Sequence, residues 1–152
     1  MAGYKRIKQS RQPKSGVVGR SEDPDKYYSQ HPSWNFNGCD EEKWAFTEAC
    51  VGDLFWTELL PHLKSWETQT WSQILVDAKK QNHAIVTERL NPIAQKRLAE
   101  RFIEAESIIS LRISGTHRIY GYMVGAVFHI LWYDFEHGDN PLCVCRSYKK
   151  HT

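Results

Sequence analysis

The sequence predicts an α+β fold, with N-terminal helices packed on a C-terminal antiparallel four-stranded meander. Three observations predict it. From Asp40 to Ile103, apolar residues recur at spacings of three and four, as they do on helices with one buried face. From Ile108 to Tyr148 the chain turns to runs of Ile, Val, Leu, Tyr and Phe, cut by Gly115-Thr116, Val124-Gly125 and the Gly138-to-Pro141 cluster. Such runs bounded by turn residues read as strands of a meander. No internal repeat or low-complexity block breaks this order, and 152 residues are about the length of one domain.

Taken in order, residues 1–33 read as a flexible basic arm, rich in Gln, Lys, Ser, Gly, Pro and Asp and without a helical stripe. Residues 34–152 form the single α+β domain, first docked through Trp34 and Phe36. Asp40 is placed to cap a short helix containing Trp44 and Phe46, with Glu41 and Glu42 in its first turn. Asp53 precedes Leu54, Phe55, Leu59, Leu60 and Leu63, a helix that Pro61 should kink or break because it lacks an N–H. Thr70 and Gln73 have capping-box spacing and open a helix through Trp71, Ile74, Leu75 and Ala78, with Lys79 and Lys80 at its C-terminal end. His83–Val86 reads as a short strand. Asn91-Pro92 starts a helix whose stripe of Ala94, Leu98 and Phe102 faces the sheet, while Gln95, Lys96, Arg97, Glu100 and Arg101 take the wet side.

Net charge is +2, unevenly spread. Residues 1–20 hold six Lys/Arg and no acid, residues 21–106 nine against fifteen Asp/Glu, and residues 107–152 five against three. A basic arm of this kind suits nucleic acid or an acidic partner. No run approaches the roughly 18 apolar residues of a membrane span, and the N-terminus has no apolar segment after its basic residues, so a cytoplasmic protein without membrane contact is expected. The four Cys read as reduced, buried thiols. The alternative is a metal site of His137, Cys143 and Cys145, whose spacing is not one of the usual paired ones.

The chemistry lies in the strands. Side chains alternate across a strand, so Arg112 falls opposite Leu111 and Ile113, and Arg118, Tyr120 and Tyr122 fall opposite Ile119 and Met123. One face is thus expected to be apolar, the other to collect guanidinium, phenol and imidazole groups. Guanidinium binds phosphate bidentately, Tyr stacks on bases, and His exchanges protons near neutrality. Together they suit metal-independent RNA cleavage without a cofactor, by attack of the ribose 2′-oxygen on the adjacent phosphate. The plain alternative pairs Arg112 and Arg118 with Asp134 and Glu136, and leaves His129 in the core. No Gly-rich phosphate loop, nucleophile elbow, zinc-protease helix or EF-hand occurs.

Over roughly the last 45 residues the order Leu111-Arg-Ile-Ser-Gly-Thr-His-Arg-Ile-Tyr-Gly-Tyr, then Ala126-Val-Phe-His-Ile-Leu, then Ser147-Tyr-Lys-Lys-His-Thr resembles the RelE/HigB superfamily of toxin ribonucleases. The resemblance implies that Arg112, Arg118, Lys149 and Lys150 hold the scissile phosphate, with a Tyr or His assisting proton transfer; the candidates on the strands for that step are Tyr120, His129 and His137. The arm residues Lys5, Arg6 and Lys8 would add RNA contacts, and toxins of this kind meet a neutralising partner protein. The segment Trp132-Tyr-Asp-Phe-Glu-His137 resembles the Trp-Asp-x-x-His ending of uncharacterised bacterial and mobile-element proteins, which supplies no chemistry. Two functions are therefore expected: an RNA-binding or RNA-cleaving protein of toxin type, or a non-catalytic accessory subunit of a mobile-element or phage-defence system.

Overall fold

Capping and periodicity set most of the helical starts. The computed structural model describes the backbone of Val17–Val18 and of residues 24–136, with side chains described from Lys26 onward. In chain order come β1 (Val17–Val18), α1 (Pro24–Tyr27), β2 (Ser33–Asn35) and α2 (Glu48–Val51). A π-helical turn at Phe55–Leu59 leads into α3 (Leu60–Glu67), and a second π-helical turn covers Gln73–Asp77. Then follow β3 (His83–Val86), a 3-10 turn (Thr87–Arg89), α4 (Pro92–Glu100), β4 (Glu104–Ala105), β5 (Ser107–Ser114), β6 (His117–Val124) and β7 (Val127–Asp134). The Thr70–Gln73 capping box forms in both directions, Gln73 Oε1 accepting from Thr70 N at 2.8 Å and Thr70 Oγ1 from Gln73 N at 3.3 Å. Asn91 caps α4 through Ile93 N at 2.7 Å, with Pro92 at the first helical position.

The fold is α+β, but the sheet is not a four-stranded antiparallel meander. It is five-stranded and mixed, in the order β2-β7-β6-β5-β3, with β5, β6 and β7 as the meander. A fourth meander strand would lie on the outer edge of β7. That edge is taken by residues from the start of the chain: β2 runs parallel to it from Ser33 opposite Val127, Asp40 N donates to Leu131 O, and Tyr133 N donates to Trp44 O. The segment expected to supply the fourth strand lies outside the described residues. Docking also begins upstream of Trp34, since Tyr27 is buried in the core, whereas Phe36 is 41 % exposed and meets Phe46 edge-on.

Apolar side chains cover both sheet faces, so the expectation of one apolar and one polar face is corrected. On the first face Leu59, Leu63, Trp66, Trp71 and Ile74 pack against Ile109, Leu111, Ile119, Phe128 and Ile130. On the second, Leu90, Ala94 and Leu98 seat α4 on Ile108, Tyr120, Leu131 and Trp132. A β-bulge makes this second core possible. Tyr120 pairs with Trp132 but Gly121 pairs with Ile130, so Leu131 is the extra residue and both Leu131 and Trp132 reach the α4 side.

Two local expectations change, and a third takes a particular form. Asp40 caps no helix; its carboxylate turns inward. At Pro61 the interruption is a change of helix type, with the proline in the first turn of α3, where its missing N–H costs least. The widened turn before it, closed by Leu60 N to Phe55 O, precedes α3, which continues to Glu67. Phe102 leaves the α4 stripe: the helix ends at Glu100, Phe102 adopts a left-handed φ of 58° and lies 89 % exposed, and Ile103 packs against the second core instead.

Candidate nucleic-acid interface

Arg112, Arg118, Tyr120 and His129 do share one sheet face, but they do not converge. Arg112 and Arg118 sit opposite each other in the β5–β6 register, and Arg118 sits opposite Asp134 in β7. Arg118 folds over the β5–β6 turn, one guanidinium nitrogen donating to Gly115 O at 2.7 Å and His117 O at 3.1 Å. Tyr120, one layer on, is fully buried in the core under α4. His129 lies beyond it, opposite Tyr122, four residues and thus about 13 Å along β6 from Arg118. The reason is the apolar body of Tyr120: its ring fills the second core and divides the polar positions into two groups. His137, Lys149, Lys150, Lys5, Arg6, Lys8, Cys143 and Cys145 lie outside the described residues.

The first group is enlarged by a contact the sequence does not announce. Asn82 is buried, its amide donating to Ile74 O at 3.2 Å and its carbonyl oxygen accepting from Arg112 N at 2.9 Å. Both Gln81 N and Asn82 N close back on Ala78 O at 3.0 Å, so residues 78–82 form a tight turn at the end of β5. Lys79 and Lys80, read from the sequence only as a helix end, therefore join Arg112 at one end of the sheet, all three exposed. Among the described residues none of these three makes an ion pair with a carboxylate. Cations left without carboxylate partners are available to phosphate oxygens.

The second group has different properties. Tyr122 and His129 stack across the strands, centroids 5.0 Å apart and planes within 9°. Burial lowers the His129 pKa and so favours the neutral ring; burial raises that of Tyr122, against a smaller opposing pull from the nearby Arg101 guanidinium. Burial likewise pushes the Cys39 thiol up to about 12, again opposed by Arg101, so it is no nucleophile at neutral pH.

Between the groups lies the buried charge that sequence reasoning missed. Asp40 Oδ2 accepts from Arg97 Nε at 2.8 Å and from Trp132 Nε1 at 2.9 Å. Its Oδ1 accepts from Glu42 N at 2.8 Å, Lys43 N at 3.1 Å and Arg97 Nη2 at 3.1 Å. Burial alone would raise its pKa, but these donors outweigh it and hold the carboxyl well below the usual carboxylate range. Every oxygen is committed inside the protein, so this is a structural node, not a catalytic acid. The signal available in the sequence was an indole N–H in a hydrophobic run, which needs a buried acceptor.

Among the described residues no helix is long and apolar enough to cross a membrane. Comparison with family models, curated protein sequences and solved structures gives no match for this chain.

Proposed function

We propose that this protein binds RNA at the sheet end formed by Lys79, Lys80 and Arg112, as a non-catalytic interaction protein. The observation that carries the reading is the Asn82 clamp, which ties the turn bearing Lys79 and Lys80 to the backbone of Arg112, three exposed cations that make no ion pair with a carboxylate among the described residues. Arg118, next to Arg112, braces the turn through its guanidinium. RNA as the polyanion follows from the resemblance carried by Arg112 and Arg118. Binding is favoured over cleavage because the described imidazole and phenol candidates stand apart from the arginines, with Tyr120 buried between.

The test is single-stranded RNA binding as a function of salt. Each phosphate contact contributes about 0.7 to the slope of log affinity against log salt. The triple variant Lys79→Ala, Lys80→Ala, Arg112→Ala should lose affinity and flatten that slope by about 2. The RNA should be recovered intact. An unchanged slope in the triple variant overturns the proposal; cleavage abolished by Arg118→Ala would restore the toxin-type ribonuclease reading.

A further inference from the structure

A hollow of about 380 Å³ lies on the side of the molecule that carries α2, lined by Phe46, Thr47, Glu48, Val51, Phe55 and Trp56. Trp56 is 67 % exposed, while its neighbour Val51 is buried. The rings of Phe55 and Trp56 stand at 84° to each other with centroids 5.1 Å apart, which makes two walls meeting at nearly a right angle. Phe46 supplies a third aromatic surface. Aromatic faces carry negative potential, and a corner of such faces attracts a cation more strongly than one ring does.

The charge of the region agrees with that field. Glu48 lines the hollow and engages no cation among the described residues. From Trp44 to Leu63 the sequence holds Glu48, Asp53 and Glu58 and no Lys or Arg. A primary ammonium is strongly hydrated and needs several acceptors, and of the lining side chains only Glu48 and Thr47 offer one. Alkylation of the nitrogen removes its need for hydrogen bonds while keeping the charge.

We propose that this hollow binds an alkylated ammonium group, held against Phe46, Phe55 and Trp56 with Glu48 balancing its charge. The site is independent of the cationic sheet end and of the RNA reading. Such a group reaches a protein either as a free quaternary amine or as a methylated lysine side chain of a partner, and the two are separable by experiment.

The isotope-labelled full chain would be titrated with choline, with a trimethyl-lysine peptide, and with the uncharged isostere of choline that carries a tert-butyl group. The Trp56 indole signal, identified by its loss in Trp56→Phe, should shift saturably with a cationic probe, and the uncharged isostere should bind about tenfold more weakly. Glu48→Gln should weaken the cation several-fold and leave the isostere unchanged. Tighter binding of the peptide assigns the partner source, and tighter binding of choline the free amine. Equal affinity for choline and its isostere overturns the proposal, as does the absence of any saturable shift at Trp56 or in the Val51 and Phe55 amides of the folded protein.

Discussion

Asp40 shows how a single side chain organises three parts of the chain. It receives donors from its own loop, from Arg97 of α4 and from Trp132 of β7, so one carboxylate joins residues 57 and 92 positions away in sequence. Removing one member of a buried ion pair leaves the other uncompensated, at a cost of about 3–5 kcal/mol. Asp40→Ala should therefore lower the urea unfolding free energy by about that amount, and a double variant with Arg97→Ala should cost less than the sum of the two single changes. The depressed Asp40 pKa gives stability that is present above the unfolded value of about 3.9 and is lost as pH falls through the folded one. His129 acts in a higher window. Its folded pKa is lowered by burial, so below its unfolded value of about 6.5 the unfolded chain takes up a proton that the native ring resists, and stability falls with pH. His129→Gln should flatten the stability profile between pH 7 and pH 5, measured by urea midpoints; an unchanged slope would assign that dependence to other groups. Neither effect is legible in the sequence. Asp40 followed by two glutamates matches a helix start, and only the distant Arg97 and Trp132 reveal that the carboxylate turns inward.

At the scale of elements, local signals are faithful where they are self-contained and misleading where tertiary contacts decide. The Thr70–Gln73 box and the Asn91-Pro92 start appear as the sequence indicates, because each closes hydrogen bonds within a few residues. The sheet is harder to read, since the pairing of β2 with β7 joins residues more than ninety apart and no local pattern encodes it. The tyrosines mislead for a related reason: counted as polar, Tyr120 commits its ring to the second core. The bulge between β6 and β7 depends on Gly121, where a Cβ would overlap the His129 carbonyl oxygen and lie 2.8 Å from Phe128 Cζ. Gly121→Ala should cost about 1–3 kcal/mol or more, because the obstruction is backbone. Phe102→Gly should act in the other sense. At the end of α4, Ile103 N donates to Leu98 O and Phe102 N to Ala99 O, a left-handed cap in which glycine is unstrained, so relief of about 1 kcal/mol is expected. Thermal unfolding of the two variants should move the midpoint in opposite directions.

For the whole molecule, the charge pattern makes a demand that no single element meets. Residues 1–16 carry Lys5, Arg6, Lys8, Arg11 and Lys14 without an acid, so the formal charge of +2 becomes −3 when they are left out. A body of negative net charge disfavours the approach of a polyanion, and Lys79, Lys80 and Arg112 offset this only locally, both fields decaying over a Debye length of about 8 Å at physiological salt. If RNA binds at the sheet end, cations elsewhere that offset the charge of the body aid its approach, and the N-terminal stretch holds five. The pairing of β1 with β4, parallel and with Val17 opposite Glu104, is consistent with such a role, because it seats the residues that follow the basic stretch next to the strand that leads into β5. Removing residues 1–16 should reduce the rate of RNA association more than it raises the rate of dissociation, since long-range charge acts mainly on encounter. The triple variant at the sheet end should do the reverse, because it removes short-range contacts. Stopped-flow association at two salt concentrations separates the two. If the truncated protein binds as fast as the full chain at low salt, the arm plays no part in capturing RNA.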